Sequence, residues 1–211
     1  RKGETPTRLH NNCSGKHTGF LALALHLGVD KARYLDPEAA PQQMVRRAVE
    51  ELSGARPGEL SLAIDGCSAP TFRLPLARLA TALARVANPE GLGEARRQAC
   101  LRMTRAAERF PELIGGSTKS LCTDLLRASQ GTLFPKLGTE AVYVVGIRGA
   151  QRGFAVKIDD GAYRAMNALV IDRLARAGHL SPSAVAQLGE WSAGPVKNWA
   201  GIDVGRLEVL A

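Results

Sequence analysis

Aromatic residues are scarce in this chain. Phe, Trp and Tyr together make up 5% of its 211 residues, and Leu and Ala dominate the apolar set. That balance favours a helix-rich soluble protein over a β-sandwich. No apolar run reaches the ~18–20 residues needed to cross a bilayer, and no segment with the layout of a signal peptide opens the sequence. A cytoplasmic protein with no membrane contact is the expectation. Low-complexity tracts and internal repeats are missing as well, which excludes solenoids and long disordered stretches. Cysteine occurs only as Cys13, Cys67, Cys100 and Cys122, widely spaced and with no C-x-x-C pair. A disulfide framework is not expected, so each thiol is buried, reactive or a metal ligand.

What is present suffices for one well-filled core or two small ones, with 45% of residues hydrophobic. The net charge is +8 and the isoelectric point is near 9.7. A nucleic-acid binder concentrates its basic residues beside aromatics or glycine loops. Here Arg46, Arg47, Arg96, Arg97, Arg102, Arg105 and Arg109 fall at helical spacings among Ala and Leu. They read as solvated helix faces, and no nucleic-acid partner is expected. Attraction of anionic or zwitterionic substrates remains open.

Apolar spacing predicts helices over Ser14–Leu27, with Gly28 as its stop, and over Pro41–Leu52, Leu76–Val86, Gly93–Phe110, Ser120–Ser129 and Tyr163–Ala177. Strands are predicted over Leu60–Asp65, Thr132–Pro135, Ala141–Arg148, Gly153–Asp159 and, at the end, Ile202–Val209. The stretch from Gly149 to Arg152 has the length of a hairpin connection. Helices followed by an antiparallel hairpin and a covering helix predict an α+β architecture. The expectation is a single domain over residues 1–211, helical over about 13–130, with a sheet and covering helix over about 131–211.

Three clusters carry chemistry. In His10-Asn11-Asn12-Cys13-Ser14-Gly15-Lys16-His17, several readings compete. Ser14 and Lys16 can act as nucleophile and base, although S-x-K spacing places them roughly 200° apart on a helix. Cys13 and His17, at i and i+4, can form a thiolate–imidazolium pair. Cys13 and Lys16, at i and i+3, can bind one metal ion with a distant third ligand such as Cys67. A purely structural reading has Ser14 or Asn12 capping the helix and Cys13 buried. The second cluster, Asp65-Gly66-Cys67-Ser68-Ala69-Pro70-Thr71-Phe72, is either a simple D-G turn or an aspartate placed at a strand end to hold an ammonium group. The third, Phe134-Pro135-Lys136-Leu137-Gly138-Thr139-Glu140, puts a lysine on a strand boundary, as in the K-T-G element of penicillin-recognising serine enzymes.

Taken in order, HNNCSGKHTGFLALALHLG, DGCSAPTFRLPLARLA, FPKLGTEAVYVVG and FAVKIDDGAYRAM resemble the bacterial-type II L-asparaginases. The resemblance runs from about Leu9 to Met166 and more weakly through Asn198 to Gly205. It implies the fold of serine β-lactamases and glutaminases. It also implies a zinc ion held by Cys13, Lys16 and Cys67, a substrate-contacting aspartate at Asp65, and a catalytic lysine at Lys136 that partners a serine. Cys122 matches a cysteine beside the substrate pocket, and Glu140 lies in the motif that lines it. The third motif departs from the family's K-x-G-A-E-G: Thr139 and Ala141 flank Glu140.

The family's nucleophilic serine belongs to an S-x-x-K element upstream of C-S-G-K, and no S-x-x-K occurs here. The expectation is therefore an amidohydrolase that converts L-asparagine to L-aspartate and ammonia through a serine preceding this sequence, in a fold incomplete at its N-terminus. A homodimer is implied by the resemblance. Two alternatives are a glutaminase or broader amidase, and a zinc-stabilised scaffold without activity.

Overall fold

The computed structural model describes residue 3 and residues 5–210. Its contacts separate the chain into two compact units, Arg1–Pro75 and Leu76–Ala211.

The first unit contains two helices and a two-stranded ribbon. Helix α1 (Ser14–His26) ends because Gly28 takes the left-handed conformation, φ 66°. That lets Val29 N–H reach Ala24 O at 2.9 Å and Gly28 N–H reach Leu25 O at 3.2 Å, so the last carbonyls are paired. Helix α2 (Ala40–Ser53) carries Pro41 in its first turn, where a missing N–H costs nothing, and stops at Gly54 with φ 60°. Strand β1 (Ser61–Ile64) pairs antiparallel with β2 (Pro70–Arg73), Ser61 opposite Arg73 and Ile64 opposite Pro70. Sequence periodicity did not predict β2: it is four residues long and begins with proline, which a two-stranded ribbon accepts on its open edge.

The second unit begins with α3 (Leu76–Ala87), α4 (Glu94–Arg109), the single turn α5 (Glu112–Gly115) and α6 (Leu121–Ala128). A three-stranded antiparallel sheet follows, β3 (Leu133–Gly138), β4 (Val142–Ile147) and β5 (Arg152–Lys157), in the order β3-β4-β5. Helix α7 (Tyr163–Arg176) covers one face. Tyr143, Val145 and Ile147 of β4 meet Met166, Val170, Ile171 and Leu174 there, together with Leu121 and Leu125 of α6. The chain closes with α8 (Pro182–Gln187) and the hairpin β6 (Gly194–Lys197) and β7 (Asp203–Leu207). Helix α8 escaped the periodicity reading, although Ser181 capping it and Pro182 at its start form a recognisable N-terminal signal.

β3 runs three residues beyond its expected end at Pro135. The sheet order explains this. Proline lacks the N–H that a central strand must donate, but β3 is an edge strand. The opposite sheet face receives α3, and two glycines facing each other in register, Gly146 and Gly153, make the approach possible. A Cβ on Gly153 would lie 1.9 Å from Ala80 O, and one on Gly146 would lie 2.3 Å from Leu83 O. Asn88, just past α3, then clamps the turn: its Nδ2 donates to Ile147 O at 2.8 Å and its Oδ1 accepts from Gly149 N–H at 2.6 Å.

Helices combined with small antiparallel sheets make this a mixed α/β protein. Among the described residues no helix is long and apolar enough to cross a membrane. The glycine trough yields a stability prediction. Gly153→Ala and Gly146→Ala each force α3 off the sheet and cost about 1–3 kcal/mol or more, read as a lowered denaturation midpoint. Gly189→Ala, with nothing within 4 Å of its added carbon, leaves the midpoint near the parent value.

Candidate functional site

Within the first unit, the start of α1 and the β1–β2 turn bring Cys13, Lys16, Asp65 and Cys67 into one cluster. Asp65 performs two tasks. Its Oδ1 accepts from Cys67 N–H at 2.8 Å and Ala69 N–H at 3.0 Å, which closes the turn, while its Oδ2 accepts from the Lys16 ammonium. The two readings of the D-G motif, turn and ammonium acceptor, are thus served by different oxygens of one carboxylate. Ser68 completes the turn with a left-handed φ of 66°.

Burial works against charge on Lys16, but the hydrogen bond and charge of Asp65, with the attraction of Cys13 and Cys67, raise its pKa above the ordinary value. Burial likewise opposes ionised Asp65, and the bonds from Lys16, Ala69 and Cys67 outweigh it and lower that pKa. Hydrogen bonding with Cys13, desolvation and the charges of Cys13 and Asp65 raise the Cys67 thiol, against the pull of Lys16. Asn11, unremarked in the sequence reading, links the Cys13 backbone to the Cys67 thiol. Its Oδ1 accepts from Cys13 N–H at 2.7 Å and lies 3.9 Å from the Cys67 thiol. An Asn three residues before the helix start is the signal that points to such a turn.

This geometry decides among the readings of the first cluster. Lys16 is an ammonium bound to Asp65 and so cannot serve as a base for Ser14. His17 Nδ1 is engaged by the Tyr34 hydroxyl at 2.8 Å, with the rings edge to face at 5.7 Å, while the Cys13 sulfur meets Cys67. Neither Ser14 nor Asn12 caps α1: the cap position is Cys13, without a side-chain bond. Arg8, Asn11, His17, Tyr34 and Cys67 are among the residues around an adjoining cavity of about 430 Å³.

The donor set suits zinc in kind: two thiols that influence each other and an amine beside them. No group of three or more His, Cys, Asp and Glu side chains disposed to hold a metal occurs among the described residues. A three-ligand site therefore needs the Lys16 amine, which must first lose the proton that Asp65 helps it keep.

The remaining candidates lie in the second unit. Lys136 is exposed on edge strand β3 and its Nζ donates to Leu137 O at 2.7 Å. Glu140 is exposed in the β3–β4 turn with φ 57°, and Ala141 follows with φ 54°. The family pattern has glycine where Ala141 stands, and the left-handed backbone costs a non-glycine residue about 1–2 kcal/mol there. Cys122 sits in the first turn of α6, and its sulfur accepts from Leu137 N–H at 3.2 Å. On an edge strand that N–H points away from the sheet, so Cys122 takes the place of a missing strand partner. Burial raises the Cys122 thiol, against the lowering influence of the Tyr143 hydroxyl, Leu137 N–H and the Lys136 charge. Tyr143, wholly buried beside it, was read from the sequence only as part of a strand.

The family model for L-asparaginase II matches residues 1–209. No curated protein matches the chain.

The thiols differ enough in exposure to be counted. Cys13 and Cys67 are half-buried, whereas Cys100 and Cys122 are buried. A disulfide-exchange reagent added to the native, metal-free protein at neutral pH is expected to titrate two thiols quickly, and the other two only after denaturant. Fast reaction of Cys122 would contradict the placement.

Proposed function

The chain belongs to the L-asparaginase II family, and from that premise we propose that the complete enzyme hydrolyses the side-chain amide of L-asparagine to give L-aspartate and ammonia. The observation that carries this reading is the convergence of Asp65, Lys16, Cys13 and Cys67 from two separated motifs. Asp65 already binds an ammonium in this structure, that of Lys16. The same carboxylate suits the α-ammonium of an amino-acid substrate.

The arrangement assigned to the complete protein is a serine β-lactamase-like fold working as a cytoplasmic homodimer. A serine from an S-x-x-K element outside this sequence attacks the amide carbon, and backbone N–H groups hold the developing oxyanion. Ammonia leaves, and water releases the acyl-enzyme. Lys136 is the catalytic lysine: its charge partners a serine and favours the deprotonated hydroxyl. Glu140 and Cys122 stand beside the substrate. Zinc bound by Cys13, Lys16 and Cys67 would organise the pocket wall by holding the three side chains together, its charge balanced by the two thiolates. Its binding displaces protons from both thiols and the amine, so affinity falls as pH drops.

Activity separates this reading from its neighbours. In the complete enzyme, asparagine is expected to turn over well above glutamine; a reversed preference makes the protein a glutaminase, and turnover of neither favours a scaffold. Lys136→Met is expected to lower kcat by about 10²-fold or more with little change in KM. Elemental analysis should find zinc in the parent and lose it in Cys67→Ala. Equally negligible zinc in both removes the metal from the assignment.

A further inference from the structure

A second cavity, of about 190 Å³, lies in the second unit on the face of the sheet that α7 covers. Leu137 lines it, and successive strand side chains point to opposite faces, so the Lys136 side chain departs from the other side of β3. The cavity's polar lining consists of Lys119, Ser120, Cys122, Tyr143 and Asn167; aromatic rings come from Tyr163 and Trp191. Lys119 is its one charged lining residue, exposed and held in left-handed backbone with φ 47°. Trp191 is fixed by its Nε1–H, which donates to Asp124 Oδ2 at 2.9 Å.

The feature that asks for a ligand is Tyr143. Its side chain is 0% exposed, and no oxygen or nitrogen among the described residues answers its hydroxyl; the Cys122 sulfur alone offers it a hydrogen bond. The nearby Cys122 sulfur is a weak acceptor that already receives Leu137 N–H. Leaving a buried hydroxyl unpaired is costly, and native proteins rarely do so without a bound molecule to answer it. Burial pushes the hydroxyl well above its usual pKa, so it is a donor at neutral pH and asks for an acceptor oxygen. A single water needs only ~10–15 Å³ of such space, far less than the cavity offers.

We propose that this cavity is a binding site for a small carboxylate with a planar apolar body, distinct from the side of the sheet served by Lys136. A carboxylate oxygen accepts from the Tyr143 hydroxyl, Lys119 at the rim supplies the opposite charge, and the body lies against the Tyr163 and Trp191 rings. The site meets the asparagine reading at one residue, Cys122, which is placed there beside the substrate and also lines this cavity; none of Lys136, Glu140 or the cysteine pair of the first unit does.

Benzoate is the probe. In a Trp199→Phe protein, Trp191 is the remaining indole, and benzoate is expected to change its fluorescence saturably and to raise the Tm. Tyr143→Phe should weaken binding by about tenfold or more, the value of a hydrogen bond to a charged group. Without benzoate, that variant should be as stable as its parent or more so, since it removes a buried hydroxyl whose protein partner is only a weakly accepting sulfur. Benzamide, with the oxygen but not the charge, should bind less tightly than benzoate. As a measurement that leaves the cavity unaltered, saturating benzoate should slow the already slow native-state modification of Cys122 by excess methanethiosulfonate reagent by about a further tenfold, as expected if about nine-tenths of sites are occupied. The proposal is overturned by an absence of saturation, by equal benzoate affinity in Tyr143→Phe and parent, or by a Tyr143→Phe protein that loses stability without ligand. Displacement of benzoate by L-asparagine would also overturn it, because the cavity would then belong to the substrate site.

Discussion

The first unit is organised around one carboxylate. Asp65 ties its own turn together with Oδ1 and reaches the first turn of α1 with Oδ2. Two segments 49 residues apart thereby meet at their chemistry-bearing residues. Neither bond alone does this: a D-G turn without Lys16 would close the ribbon but leave Cys67 tied to the start of α1 only through the long contact of its thiol with Asn11. Because Asp65 and Lys16 are partly exposed, at 24% and 34% of their side-chain surface, solvent screens the ion pair. Its main effect is positional more than energetic.

The second unit solves a different problem, that of packing both faces and an open edge of a three-stranded sheet. One face takes an ordinary apolar helix, α7. The other takes α3 almost directly on the backbone, through Gly146 and Gly153. The edge is managed by chemistry along β3: Pro135 has no N–H to satisfy, and the next outward N–H, that of Leu137, goes to the Cys122 sulfur. A residue that the family resemblance places beside a substrate is thus also part of the strand's hydrogen bonding. Its neighbour Tyr143 bears the cost of that arrangement, its buried hydroxyl left with only the shared sulfur.

Much of the fold was legible along the chain. Helices α1, α2, α3, α4, α6 and α7 and the β4–β5 hairpin follow from apolar spacing and from stops such as Gly28 and Gly54, because these depend on neighbours within a few residues. The elements that escaped are short. β2 and β6 have four residues each and α8 has six, too few for a period to register. The extension of β3 past Pro135 required knowing that β3 is an edge, which is a property of the sheet and not of the segment.

The sequence by itself determined which residues have the chemistry: two widely spaced thiols, a lysine beside one of them, an aspartate in a tight turn, and a family likeness that spans all four. It could not determine what those groups meet. Whether Lys16 faces Ser14 or Asp65, and whether Cys13 faces His17 or Cys67, depends on side chains about fifty residues away, beyond the reach of any local pattern. Tertiary structure alone decided that Asp65 serves both turn and ammonium, that Asn11 links the Cys13 backbone to the Cys67 thiol, and that the Tyr143 hydroxyl is buried with only a sulfur beside it. Residue identity sets what a group can bind. Only packing sets what it is left to bind.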